Sequence, residues 1–208
     1  MKTTEAMEEH VKQLLMDAEF VRDYMFIGMR RATDSDAITR PGVFAGTEQF
    51  LYVRGTFDKG AWHVKLTHRL LESACLTEDE AWACAFANTC ADGETVIEPL
   101  PVMLQNLGVF PPLSQGEDDL ALYVLTNPNR YLGSGQITDM AAIRKYFNVY
   151  APGCKYIVAI PSSIHECILI PMKEKTSLTP IHKMIREVNA SVVDSKEQLG
   201  DKAYLIKL

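Results

Sequence analysis

The sequence predicts an α+β protein. Its C-terminal half reads β-α-β-β-α-β, the ferredoxin-like or split βαβ order, and its N-terminal half reads as helices plus a short antiparallel sheet. Three observations carry this reading. Short apolar runs alternate with segments of helical period beyond residue 120. Two strand-like runs, "FLYVRGTF" and "WHVKLTH", flank Asp58-Lys59-Gly60, as a hairpin requires. Helical spacing also marks the first residues and the stretch from Leu76 to Asn88.

Taken in order, Met7, Val11, Leu14, Leu15 and Ala18 recur at three and four residues and place a helix at the start. "YMFIGMR" follows as a strand or a buried helix extension, between which periodicity does not choose. "RATDSDAITRPGVFAGTE" is dense in turn formers and reads as a loop. Leu76–Asn88 is a helix opened by Thr77 and Glu80 at capping-box spacing, and "IEPLPVMLQNLG" adds a short helix that stops at Gly108. "GVFPPLSQGEDD" then interrupts the pattern with prolines, glycines and an acidic cluster. It divides the chain into an N-terminal portion, 1–110, a linker, 111–119, and a C-terminal portion, 120–208.

Beyond that break, "LALYVLT" (Leu120–Thr126) is a strand, and "NPNRYLGSG" is its polar turn. Ile137, Met140, Ile143 and Phe147 carry a helix. "YIVAI" (Tyr156–Ile160) and "IHECILI" (Ile164–Ile170) are strands joined by Pro161-Ser162-Ser163. Leu178–Asn189 is a second helix with Thr179-Pro180 in its first turn, and "AYLIKL" closes the chain as a strand.

Composition bounds the function. An apolar fraction of 47% and a charged fraction of 23% over 208 residues are those of a globular protein able to bury a real core. The formal net charge of −6, with both signs interspersed, offers no pull towards nucleic acid or an anionic membrane. No apolar run approaches the roughly 18 residues of a membrane span, and "MKTTEAMEEHVKQLL" lacks a signal peptide's order, so the expected location is cytoplasmic. Cys75, Cys84, Cys90, Cys154 and Cys167 are odd in number and contain no CxxC, which argues for reduced thiols.

"IPSSIHECILIP" concentrates the chemistry-bearing residues. On an extended strand Ser163 and His165 would stand roughly 7 Å apart, too far for a nucleophilic dyad. "HEC" opens like a helical H-E-x-x-H, but Leu169 occupies the second histidine position and the segment is rich in β formers. His165 and Glu166, adjacent on a strand, would face opposite sides. The sequence therefore implies no metal and no cofactor. His165 is expected to be a buried, hydrogen-bonded member of a central strand.

"YVLTN" with Gly133 downstream, "PSSIHE", "IREVN", Leu199-x-Asp201-x-x-Tyr204 and the upstream "LTEDEAWACAFANT" resemble a bacterial family, the domain of unknown function 5688. The resemblance runs from about Leu66 to the C-terminus and departs at Ser134-Gly135, where the family tends to small alanines. It implies no activity. Topology supplies a candidate site instead. In a split βαβ unit the loop after the first strand, the "PSS" hairpin and the "EVN" helix end emerge at one edge. Asn127, Ser162, Ser163, His165 and Asn189 would gather there. The reading favoured is a non-catalytic interaction or small-ligand-binding module with a protein or small-molecule partner. The alternative is a hydrolase or transferase at the same edge.

Overall fold

A computed structural model describes residues 2–33, 36–57, 60–108, 121–191 and 194–208. The 111–119 linker lies outside the described residues. Two helices open the chain, α1 (Lys2–Leu15) and α2 (Ala18–Asp23), the second capped by Asp17, whose carboxylate accepts from the Glu19 and Phe20 amides. "YMFIGMR" resolves as a strand, β1 (Met25–Arg31), buried over most of its length. The turn-rich loop after it contains a short strand, β2 (Thr39–Pro41).

The hairpin of β3 (Thr47–Phe57) and β4 (Gly60–Lys65) forms as its flanking runs imply, with Phe57 opposite Gly60 and the turn residues 58–59 outside the described residues. In this first sheet β3 is central. It pairs with β1 on one side and with β2 and β4 in succession on the other, all antiparallel. One face is covered by α1, α2, α3 (His68–Ser73) and α4 (Glu78–Thr89), which bury Leu15, Val21, Leu71, Trp82 and Ala85 against Met25, Leu51, Val53 and Trp62. The Thr77–Glu80 capping box that starts α4 is present in full.

The second sheet has the order β5-β6-β8-β7-β9, every neighbouring pair antiparallel. Its strands are β5 (Val96–Pro99), β6 (Tyr123–Thr126), β7 (Tyr156–Ile160), β8 (Cys167–Met172) and β9 (Tyr204–Lys207). "IEPLP", taken from sequence as helix, splits into β5 and α5 (Leu100–Asn106), because Pro101 has no amide to give a ladder and suits the first turn of a helix. The 1–110 portion thus contributes an edge strand to the sheet of the C-terminal portion.

The α+β class holds, and β6 and β7 flank β8 as a split βαβ unit requires. Within that class the last strand takes a different place from the ferredoxin-like one. There the fourth strand lies beside the first; here β9 pairs with β7, and β5 occupies the edge beside β6. The helices follow from this. Both crossovers move the same way across the sheet but leave from antiparallel strands, so right-handed connections place them on opposite faces. Accordingly α6 (Met140–Tyr150) buries Ile143 and Phe147 on Leu125, Ile157 and Leu169, while α7 (Thr179–Ser191) buries Ile185 on Val158, Ile160 and Ile170. β7 and β8 are apolar on both faces because both faces are covered.

The two sheets meet around a 3-10 helix, Gly133–Thr138, which is buried over most of its length. A Cβ on Gly135 would strike the Ile27 carbonyl of β1, and one on Gly133 would lie 2.6 Å from the Asn127 nitrogen and 2.7 Å from the His165 oxygen. From the first sheet, Met29 and the loop residue Phe44 join the core beneath α6. The other side of that contact is a cluster of Phe26, Phe50, Tyr52 and Leu132. All five cysteines are free.

The outer edge of β1 is also closed by α4, where the fully buried Thr89 hydroxyl accepts from the Ile27 amide at 3.0 Å. Thr89→Val keeps the shape but orphans that amide, and should cost about 1–3 kcal/mol in denaturant melts. Thr89→Ser, which keeps the acceptor, should recover a large part of the loss.

Candidate functional site

The loop after β6 is held by one side chain. Asn127 is almost wholly buried; its Nδ2 donates to the Tyr131 carbonyl (2.8 Å), its Oδ1 accepts from the Tyr131 amide (3.3 Å), and its carbonyl accepts from the Arg130 amide. On either side of Tyr131 the chain is left-handed, with φ of 51° at Arg130 and 54° at Leu132. Each such non-glycine residue costs roughly 1–3 kcal/mol and persists only where its surroundings impose it. Here they do. Arg130 pairs with Glu98, Leu132 is buried among Phe26, Phe50 and Tyr52, and the Leu132 amide donates to His165 Nδ1 at 3.2 Å.

The PSS segment is a turn, as expected. The Ser163 amide donates to the Glu166 carbonyl, the Glu166 amide donates back at 3.4 Å, and the Ser163 hydroxyl accepts from the His165 amide at 3.1 Å. The strand expected over Ile164–Ile170 starts only at Cys167. The reason lies in where the backbone groups go. Ile164 N–H donates to the Glu197 carbonyl, Ile164 C=O accepts from the Ser134 amide and hydroxyl, and His165 C=O accepts from the Thr126 hydroxyl. These bonds occupy groups that a ladder would use.

His165 is therefore a loop residue and not a mid-strand one, though its side chain is mostly buried and hydrogen-bonded as expected. Accepting at Nδ1 fixes the neutral ring as the Nε2–H tautomer, and Nε2 stands 3.5 Å from the Glu197 carboxylate. Burial raises the pKa of the neighbouring Glu166 above the usual carboxylate value.

Of the five residues singled out from sequence, Asn127, Ser163 and His165 come together at the shared edge. Ser162 is half-buried in the same turn. Asn189 is placed apart, its Nδ2 donating to Gly200 C=O and its own carbonyl accepting from Gln198, so it fastens the end of α7 to the following loop. The polar atoms of Asn127, Ser163 and Asn189 are largely spent on backbone. What Asn127 and His165 position is Tyr131. Its ring lies between two histidines, with centroids 4.7 Å from His63 and 4.8 Å from His165, and its hydroxyl is 3.4 Å from His63 Nε2.

Tyr131 overhangs a cavity of about 470 Å³ lined also by Tyr52, Arg54, Trp62, His63 and Asn129. A second cavity, about 550 Å³, shares Arg54 and Asn129 and is edged by Asp23 and Glu94. Arg54 stands between them. Its guanidinium lies 3.7 Å from the Phe26 ring centre and pairs through Nη2 with Glu94 at 2.6 Å, while its buried Nη1 has no hydrogen-bond partner. Burial pushes the Tyr52 hydroxyl up to about 12, with the Arg54 charge opposing it. His63 is pushed below its ordinary value by burial, then by Lys65 and His165. Lys65 is likewise lowered, by burial and by Arg30.

Sequence reasoning missed these residues, yet a signal existed. Tyr52 and Arg54 on β3, with His63 and Lys65 on β4, alternate onto one face of the hairpin and bring cations and aromatics to strands whose other face is core. Among the described residues no group of three or more His, Cys, Asp or Glu could hold a metal ion, and no helix is long and apolar enough to cross a membrane.

The chain belongs to a family of unknown function, DUF5688, whose model matches residues 50–207. The match begins ahead of Leu66, where the resemblance was expected to start, and so takes in Tyr52, Arg54, Trp62 and His63 as well as Tyr131. No curated protein and no solved structure matches the chain.

The His63 shift fixes a pH dependence. With its folded pKa below the unfolded value of 6.5, the unfolded chain binds more protons, so stability rises with pH and is lost as the pH falls through about 6.5. Thermal melts of His63→Gln between about pH 7.5 and 5.5 should show a smaller acid destabilisation than the parent. An equal or larger one would mean that His63 gains charge without cost.

Proposed function

We propose that this chain is a small-ligand-binding module whose site is the cavity beneath Tyr131. One observation carries the reading: two left-handed residues, a buried asparagine and an acceptor histidine all act to hold a partly exposed tyrosine over an aromatic-lined hollow. Strain maintained by so many neighbours is characteristic of sites where a side chain must be aimed. A cavity of this size with apolar walls and a few convergent polar groups is the usual form of a small-molecule site. The hydrolase or transferase alternative has less support. The Ser163 hydroxyl accepts from a main-chain amide, and His165 Nδ1 accepts from another.

The rings at the cavity provide the test. The His63 and Tyr131 rings line the cavity, whereas the Trp62 and Trp82 indoles lie in the helical core on the other face of the sheet. In ¹H–¹³C aromatic spectra of the full chain, titration with benzoate, benzamide, indole and benzylamine should move the His63 ring signals and leave those of the core Trp82 in place. Tyr131→Ala should weaken the response by about tenfold, as loss of an aromatic anchor does, with Tm within a few degrees of the parent. If no compound moves the His63 ring signals, or if Tyr131→Ala binds as well as the parent, the cavity is not the site.

A further inference from the structure

We infer that the open edge of β4 takes up an extended peptide as an added strand, with an aromatic side chain of that peptide in the cavity beneath Tyr131; this rests on the cavity being the site. The edge follows from the register of the first sheet. Phe57 stands opposite Gly60, Gly55 opposite Trp62 and Val53 opposite Val64, and beyond them the Leu66 amide donates to the Leu51 carbonyl. The Arg54 amide instead donates to the Tyr24 carbonyl, on the β1 side. Backbone groups alternate in direction along an antiparallel ladder, so odd-numbered residues of β3 bond even-numbered residues of β4. Ala61, His63 and Lys65 therefore turn both amide and carbonyl away from β3, and each of them is exposed.

Among the described residues nothing pairs with that side of β4. The other edges are shorter or closed. β2 and β5 end in Pro41 and Pro99, β9 spans only Tyr204–Lys207, and Thr89 of α4 occupies the outer side of β1. β4 has neither a proline nor a bulge, and its ladder with β3 is unbroken from Gly60 to Lys65. Such an edge is a template for another strand.

What flanks the edge selects the occupant. In strand addition main-chain bonds supply affinity, and pockets for alternate side chains supply specificity. Ala61, His63 and Lys65 project their side chains to one face, and the cavity opens on that face, lined by Ala61, His63 and Tyr131. Ala61 is the small member, so the peptide side chain opposite it has room to lean into the cavity. The Tyr131 and His63 rings there suit an aromatic group. Further along, the Lys65 ammonium lies 5.5 Å from the Phe50 ring centre and enters no ion pair among the described residues. An acidic residue opposite it completes a cross-strand pair. Because Ala61 and Lys65 are four positions apart, an antiparallel partner reads acid-x-x-x-aromatic. A second copy of β4 fits less well. About a two-fold centred on His63 it would set Lys65 opposite Ala61, leaving the cavity without a ring and the ammonium without an acid.

The test titrates the full chain with acetyl-Glu-Val-Thr-Val-Phe-amide in ¹H–¹⁵N spectra. The amides of Ala61, His63 and Lys65 should shift and gain protection from exchange. N-methylating the peptide's threonine, whose amide faces β4, should weaken binding about tenfold, whereas N-methylating the valine before it, whose amide faces solvent, should change it less than about twofold. Lys65→Glu should weaken the peptide severalfold, and lysine in place of the peptide's glutamate should restore binding. Ala61→Pro removes an outward amide without losing a bond to β3, and should abolish binding with Tm within a few degrees of the parent. Should that variant fail to fold, the N-methylated pair decides on the parent chain. Unmoved edge amides, equal binding of the two N-methylated peptides, or a sedimenting dimer that excess peptide leaves intact overturns strand addition while small aromatic compounds still move His63. If neither the peptide nor those compounds move His63, the cavity falls with it.

Discussion

The rest of the structure depends on how closely the 3-10 helix Gly133–Thr138 lies against both sheets. At Gly135 the chain passes so near the Ile27 carbonyl of β1 that no side-chain carbon fits, and Gly133 meets Thr126, Asn127 and His165 in the same manner. These are backbone-to-backbone approaches for which only glycine is small enough. Through them the helix serves as a spacer of fixed thickness. Gln49 of the first sheet reaches Thr138 at 2.8 Å, and Thr95 bonds both Gln136 and Asp139. Ile137 carries the contact into the core shared with Met29 and Phe44.

From this spacing the site follows. The helix begins immediately after Leu132, so fixing Gly133 fixes the exit of the strained turn, while Asn127 fixes its entry. Between two fixed ends the left-handed residues have no relaxed alternative, and Tyr131 is turned outward between His63 of one sheet and His165 beside the other. The cavity is thus a product of how the halves join. Its cationic and aromatic wall comes from β3 and β4, and its overhanging ring comes from the loop after β6.

How much of this was legible in the sequence divides along physical lines. Local signals read well. The Thr77–Glu80 capping box, the β3–β4 hairpin, the PSS turn and the alternation beyond residue 120 all depend on neighbours in the chain, and all formed. What failed was decided at long range. The start of β8 was misplaced because Glu197, Ser134 and Thr126, distant in sequence, take the backbone groups of Ile164 and His165. The position of β9 depended on β5, read as helix, already occupying the other edge. Gly133 and Gly135 carried no signal by themselves, since G-x-G fits any loop; the proximity of Ile27, over a hundred residues earlier, to Gly135 and of Thr126, Asn127 and His165 to Gly133 gives them meaning. Asn127 and His165, singled out from sequence, proved to be supports of the site, and the residues that face the cavity stood on one face of two strands read only as a hairpin.

The most direct measurement of the central claim is the unfolding free energy of Gly135→Ala, with Gly200→Ala as control. A Cβ at Gly200 meets nothing nearer than 3.6 Å and the position lies outside the left-handed region, so that variant should stay within about 0.5 kcal/mol of the parent. At Gly135 the obstructing atom belongs to backbone and cannot turn aside. A loss of about 1–3 kcal/mol or more is expected, together with a displaced Tyr131 seen as altered ring-current shifts at His63 and His165. A Gly135→Ala protein as stable as the control, with the Tyr131, His63 and His165 signals unmoved, would contradict the account.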